Sequence, residues 1–150
     1  NRMQDLNLTI DEAITLASVI QKEAGESDDM RLVSSVFHNR LDDKGTYPNL
    51  QSDVTIFYVE ENIKPLLQMS NQPMYDAYNT YVREGLPVGP ICNPGMDAIL
   101  AALYPEKTSF YYFVTDKNMD FYYAQTADAH YRNVAAAQQV GGQAHGIDTQ

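Results

Sequence analysis

The stretch Leu16-Ala17-Ser18-Val19-Ile20-Gln21-Lys22-Glu23-Ala24-Gly25 constrains this chain more than any other. It reads as the second half of an amphipathic helix that stops at a glycine. Thr9 with Glu12 three residues later is a capping box, which supplies the start. Leu16, Val19 and Ile20 precede Glu23 by seven, four and three positions, so on a helix the four side chains share one face. The fold must bury that face, and it carries a carboxylate.

Burial disfavours the charged form of a carboxyl group, and the last turn of a helix opposes a further negative charge. Both effects favour an acid that keeps its proton near neutral pH. Such a group is suited to act as a general acid and, once deprotonated, as a base. Periodicity alone also allows a half-exposed glutamate at a frayed helix end, with Lys22 and Glu26 as solvated neighbours.

At 150 residues the chain is long enough for one domain with a real core. Its formal net charge of −10 argues against nucleic acid or an anionic membrane surface as the main ligand, since both demand a basic footprint. The 11 tyrosines, against no tryptophan, offer flat apolar faces with a hydroxyl, useful for sugars as well as for packing. Cys92 is the single cysteine and excludes an intrachain disulfide. With no Cys pair and no His-x-x-x-His spacing, no metal site is expected, and His38 and His130 read as cap or packing residues. No apolar run approaches a membrane span. The start at Asn1, without Met, reads as a processed or engineered piece from which a targeting segment could have been removed.

Along the chain, a first helix is expected over about 9–24. A second, capped at Ser27, packs by Val33, Phe37 and Leu41. A short third helix over 54–59 competes with a strand, given its β-branched content. A further helical turn lies within 63–71, and 75–81 is aromatic and polar. The Gly-Pro-rich segment 84–90 is a loop, and Asn93-Pro94-Gly95 opens a helix with proline at its first position. Residues 110–114 and 121–124 flank a polar connection and form a hairpin. Thr126 caps a last helix to about Gln139, and 141–150 reads as a flexible tail. The order of helices, hairpin and helix is an α+β pattern in which helices predominate.

Polar groups recur at the loops: Glu23, Asn39, Gln51-Ser52-Asp53, Tyr78-Asn79-Thr80-Tyr81, and the Gly85–Gly95 segment. Gln51 or Asn79 alone would be a plain turn residue. Together, in order from Leu16 to Asn133, these segments resemble the YceG-like endolytic murein transglycosylases. The similar stretches are Leu16–Ala24, Ser34–Leu41, Leu50–Thr55, Tyr78–Tyr81, Gly85–Gly95, Tyr112–Val114 and His130–Asn133. Three positions depart from the family pattern. Gln21 stands for the first Glu of Glu-Lys-Glu, which leaves Glu23 as the acid; Val54 and Val88 stand for prolines in two loops.

The resemblance implies a catalytic domain over 1–140 with a lysozyme-like, mainly helical core and a small antiparallel hairpin. It implies cleavage within peptidoglycan glycan strands, between N-acetylmuramic acid and N-acetylglucosamine, leaving a 1,6-anhydro end. Glu23 would be the catalytic residue, and no cofactor is needed. Gln51, Ser52, Asn79, Tyr78, Tyr81 and Asn39 are the substrate-binding candidates; for Tyr78 and Tyr81 core packing is the competing role. The tyrosines of the hairpin, Tyr111, Tyr112, Tyr122 and Tyr123, read as sheet-face residues. A membrane anchor outside this chain, the extracytoplasmic face of a bacterial membrane, and partners in cell-wall synthesis are further implications. Asp53, as a second carboxylate, leaves a muramidase-type hydrolase open; the preferred role for it is a cap or loop anchor. A non-catalytic peptidoglycan-binding module is the alternative from another class.

Overall fold

The capping box forms. The Thr9 hydroxyl accepts the Glu12 N–H at 3.2 Å, and the Glu12 carboxylate accepts the Thr9 N–H at 2.8 Å. The computed structural model describes residues 1–149. Among these, seven helices and three short strands follow one another: α1 (Arg2–Asp5), α2 (Ile10–Ala24), α3 (Met30–Asp42), α4 (Asp53–Tyr58), α5 (Gln72–Tyr78), α6 (Met96–Leu103), β1 (Tyr112–Thr115), β2 (Phe121–Ala124), α7 (Ala127–Gln139) and β3 (His145–Gly146). A π turn (Val59–Ile63) and a 3-10 turn (Lys64–Leu66) extend α4. The class is α+β, helices predominating.

Helix α2 is the central strut. Leu16, Ala17, Val19, Ile20 and Ala24 have no exposed surface. Thr15 and Ser18 are buried too, so neighbours cover more than the single stripe that periodicity marks. Helix α6 lies against it through Ala98, Ala101 and Ala102, whose small side chains permit close approach. Helix α3 adds Val33, Val36 and Phe37, and Phe37 meets Phe113 of β1 edge-on at 5.7 Å.

The sheet has the order β2-β1-β3, all antiparallel. The hairpin aligns Tyr112 with Ala124 and Thr115 with Phe121. Strand β1 is buried along its whole length, with α7 packed on β1 and β2. Thr126 caps α7 as its position implies.

Several boundaries differ from the sequence reading. Ser27 does not cap α3: its hydroxyl donates to Ala24 O at 2.7 Å and closes the α2 end, and Asp29 is the residue before α3. Proline 94 does not enter α6, which starts at Met96, because the Gly95 N–H is drawn to Gln21 Oε1 at 2.9 Å. Helix α5, not foreseen, starts at Asn71, whose side chain accepts the Met74 N–H, with Pro73 in the first turn.

The largest difference is the stretch 141–149, expected to be flexible; Gln150, the rest of that expected tail, lies outside the described residues. Val114 pairs with Gly146 and Thr115 with His145. Ile147 is wholly buried, its N–H on Phe113 O at 3.1 Å. Glycine misled the sequence reading here. Gly146 has φ +155°, and a Cβ on it would stand 2.5 Å from Phe113 O. This glycine permits a close backbone approach, not freedom.

Candidate active site

Helix α2 delivers Glu23 to the junction of α4, the β1–β2 connection and β3. The residue is 6% exposed and borders a small cavity of about 210 Å³. The other walls are Lys22, Val54, Phe57, Thr115, Asp116, Met119 and His145. Larger clefts lie elsewhere: one of about 440 Å³ beside Thr15 and Leu86, another of about 750 Å³ beside Met30 and Tyr104. Chemistry and not size selects the site, because among the described residues Glu23, at the small cavity, is the buried carboxyl group whose pKa is raised.

The Glu23 pKa is pushed up to about 8. Desolvation is the main cause, and the nearby Asp53 charge adds to it. The Ser52 hydroxyl and the Val54 backbone N–H act in the opposite sense. Ser52 Oγ donates to Glu23 Oε1 at 2.6 Å.

Ser52 is itself fixed by a buried hydroxyl network. Its N–H donates to Thr80 Oγ1 at 3.0 Å, Thr80 Oγ1 lies 2.9 Å from Thr55 Oγ1, and Thr55 Oγ1 donates to Ser52 O at 2.8 Å. Asp53, wholly buried, is a loop anchor. It accepts the Tyr81 hydroxyl, the Thr149 hydroxyl and, at 3.2 Å, the Gly146 N–H. The Tyr81 hydroxyl is raised well above the usual tyrosine range by burial, then by that carboxylate.

The candidates named from sequence thus separate. Glu23 and Ser52 are in direct contact. Tyr81 reaches the site through Asp53. The Asn79 side chain accepts the Tyr81 N–H at 2.9 Å and shapes the turn after α5. Tyr78 packs on Tyr58, ring centroids 5.1 Å apart. Asn39 spends its amide protons on Thr108 O and Phe110 O, tying α3 to the approach to β1.

Gln51 departs most from expectation. Its φ is +53°, held by its N–H on Thr80 O and by the Asp148 N–H on its own carbonyl. The side chain enters a separate cleft with Arg40, Tyr47 and Tyr112, not the Glu23 cavity. Arg40 Nη1 lies 3.5 Å from Gln51 Oε1, the outer limit of a hydrogen bond.

Sequence reasoning missed Phe57, Thr115, Asp116 and His145 as cavity walls. Asp116 accepts the N–H groups of Asn118 and Asp120 and the Tyr122 hydroxyl, which hold its pKa below the usual value despite desolvation. Its position at the start of a polar hairpin connection was the available signal. His38 and His130 bond Ala102 O and Ile147 O. Among the described residues no cluster of His, Cys, Asp or Glu could hold a metal ion, and no helix is long and apolar enough to cross a membrane.

A family model described as YceG-like matches residues 1–136. The chain belongs to the YceG-like family. The endolytic murein transglycosylase of Bacillus subtilis (strain 168) is 35% identical to this YceG-like chain over 130 residues, covering 87% of it and 35% of that protein. The protein of the same name from Streptococcus pneumoniae serotype 2 (strain D39) is 35% identical over 135 residues, 86% of this chain and 24% of that one. A crystal structure of a YceG-like protein from Listeria monocytogenes shares the fold with a TM-score of 0.72 at 33% identity, over 88% of this chain and 42% of that one. This YceG-like chain therefore spans about a third or less of the length of these curated relatives.

Proposed function

We propose that this YceG-like domain is an endolytic lytic transglycosylase acting on the glycan strands of peptidoglycan, with Glu23 as its catalytic residue. The observation that carries the reading is a carboxyl group held uncharged near pH 7, at a cavity wall, with one oxygen on the Ser52 hydroxyl. Protonated Glu23 donates to the glycosidic oxygen between N-acetylmuramic acid and N-acetylglucosamine while the muramoyl C1 gains oxocarbenium character. The resulting carboxylate then takes the proton from the muramoyl C6 hydroxyl as that oxygen closes onto C1. A 1,6-anhydro end forms and Glu23 regains its proton. Ser52 supports both states: its donated bond steadies the carboxylate and orients the acid.

One titrating carboxyl group suffices because the substrate supplies the nucleophile. Asp53, with its oxygens already accepting from Tyr81, Gly146 and Thr149, supports this economy. A muramidase-type hydrolysis is the second reading, favoured by Asp116 in the same cavity wall. The relatives' name, murein transglycosylase, supports the first. An extracytoplasmic location follows from that substrate, and contact with wall-synthesis proteins fits it.

Mass spectrometry of purified glycan strands after incubation tests the proposal. The wild type yields 1,6-anhydro-muramoyl ends and Glu23→Gln yields none. Reducing ends in their place support the hydrolase, and cleavage unchanged in Glu23→Gln overturns the assignment of Glu23.

A further inference from the structure

From the geometry of β3 we infer that His145 is a glycan-contacting residue, a wall of the Glu23 cavity supplied by a segment beyond the residues that match the family. This rests on the glycan-cleaving reading above, and it adds a binding residue that the motifs leave out.

Four observations converge on it. First, the backbone of this segment is fixed on both sides. Thr115 pairs with His145, the Gly146 N–H binds the Asp53 carboxylate, and the Asp148 N–H binds Gln51 O. The segment is thereby tied to the Gln51–Asp53 loop, whose middle residue Ser52 holds Glu23. Second, β3 ends at Gly146, whose φ is +155°. Ile147 goes to full burial while His145, two positions earlier, stays exposed at the cavity rim. Third, the imidazole is oriented from one side by Phe57, ring centroids 5.5 Å apart and planes at 89°. Fourth, neither of its ring nitrogens has a hydrogen-bond partner among the described residues, whereas one nitrogen of each of the buried rings of His38 and His130, Nε2, lies on a backbone carbonyl.

Those two rings are buried and bonded within the protein, whereas the exposed His145 ring keeps both nitrogens open to solvent or to a ligand. An oriented and unpartnered ring, facing a cavity that also holds the acid, is equipped to bond a sugar. The cavity of about 210 Å³ is smaller than the roughly 300 Å³ at which drug-sized sites begin, so it suits one ring of a longer chain. An N-acetylated sugar offers both a hydroxyl and an amide carbonyl to such a ring. His145 makes no bond to Glu23. Its role is therefore to position a sugar ring so that its glycosidic oxygen meets the Glu23 proton.

The test measures binding of a tetrasaccharide of alternating N-acetylglucosamine and N-acetylmuramic acid by titration calorimetry. Glu23→Gln is the parent, so that nothing is cleaved. Adding His145→Ala weakens binding about ten-fold, the worth of one or two lost hydrogen bonds, and adding His145→Gln in its place recovers part of it. Thermal melts of all three lie within a few degrees of one another, because the ring is exposed and its removal costs the fold only the edge contact with Phe57. Equal affinity of the parent and the His145→Ala form overturns this inference alone. Failure of the parent to bind, together with no cleavage by wild type, overturns the transglycosylase reading beneath it.

Discussion

Glu23→Gln should make the domain more stable, and only above a particular pH. Glutamine is close in shape to the protonated acid, keeps an oxygen for the Ser52 hydroxyl, and cannot ionise. In the unfolded chain Glu23 titrates near 4.5, and in the folded protein near 8. Between those values the folded state holds a proton that the unfolded state has released, so wild-type stability falls as pH rises. The contribution is fully present below pH 4.5, declines through the window, and is gone above about 8. At about 1.4 kcal/mol per pH unit, the interval from 4.5 to about 8 corresponds to at most ~5 kcal/mol. Relaxation and water entry around the carboxylate reduce this. Denaturant unfolding of both proteins from pH 4 to 9.5 gives the difference curve directly. His38 and His130, held below the usual histidine range by burial, titrate alike in both proteins and cancel. The curve should lie near zero at pH 4 and rise until about pH 8, Glu23→Gln being the more stable. Parallel stability profiles refute the reasoning, because they mean that Glu23 ionises as freely folded as unfolded.

Other perturbations probe the surroundings of the acid. Ser52→Ala removes the hydroxyl that lowers the Glu23 pKa, so the alkaline limb of the pH–rate profile should move upward while the rate falls about ten-fold. Tyr81→Phe leaves the buried Asp53 short of one donor and should cost about 1–3 kcal/mol in denaturant unfolding, with Glu23 still titrating above its ordinary value. Gly146→Ala sets a Cβ 2.5 Å from Phe113 O at a φ unfavourable to L residues, and should lower stability by about 2 kcal/mol or more in thermal melts.

What could be read from the sequence was local or periodic. Helix α2 carries its own start in Thr9 and Glu12, and Glu23 falls on the buried face by spacing alone. Helix α7 and the β1–β2 hairpin announce themselves in the same way, through Thr126 and through two aromatic runs around a polar turn. What escaped depends on residues distant in the chain. Thr80 belongs to a Tyr-Asn-Thr-Tyr element that invited a sugar-contacting role, yet it and Tyr81 steady Ser52 and Asp53 from beneath. Gln51 turns away from Glu23 because its backbone adopts φ +53°, a conformation fixed by Thr80 and Asp148. Strand β3 is too short to have a period, and its glycine suggests freedom until Phe113 is seen against it.

The central claim is that Glu23 keeps its proton near neutral pH in the folded domain. Carbon-13 NMR of carboxyl-labelled protein, with the Glu23 signal assigned by its absence from Glu23→Gln, follows that proton directly. The account predicts a midpoint near 8, and a midpoint near 4.5 would contradict it.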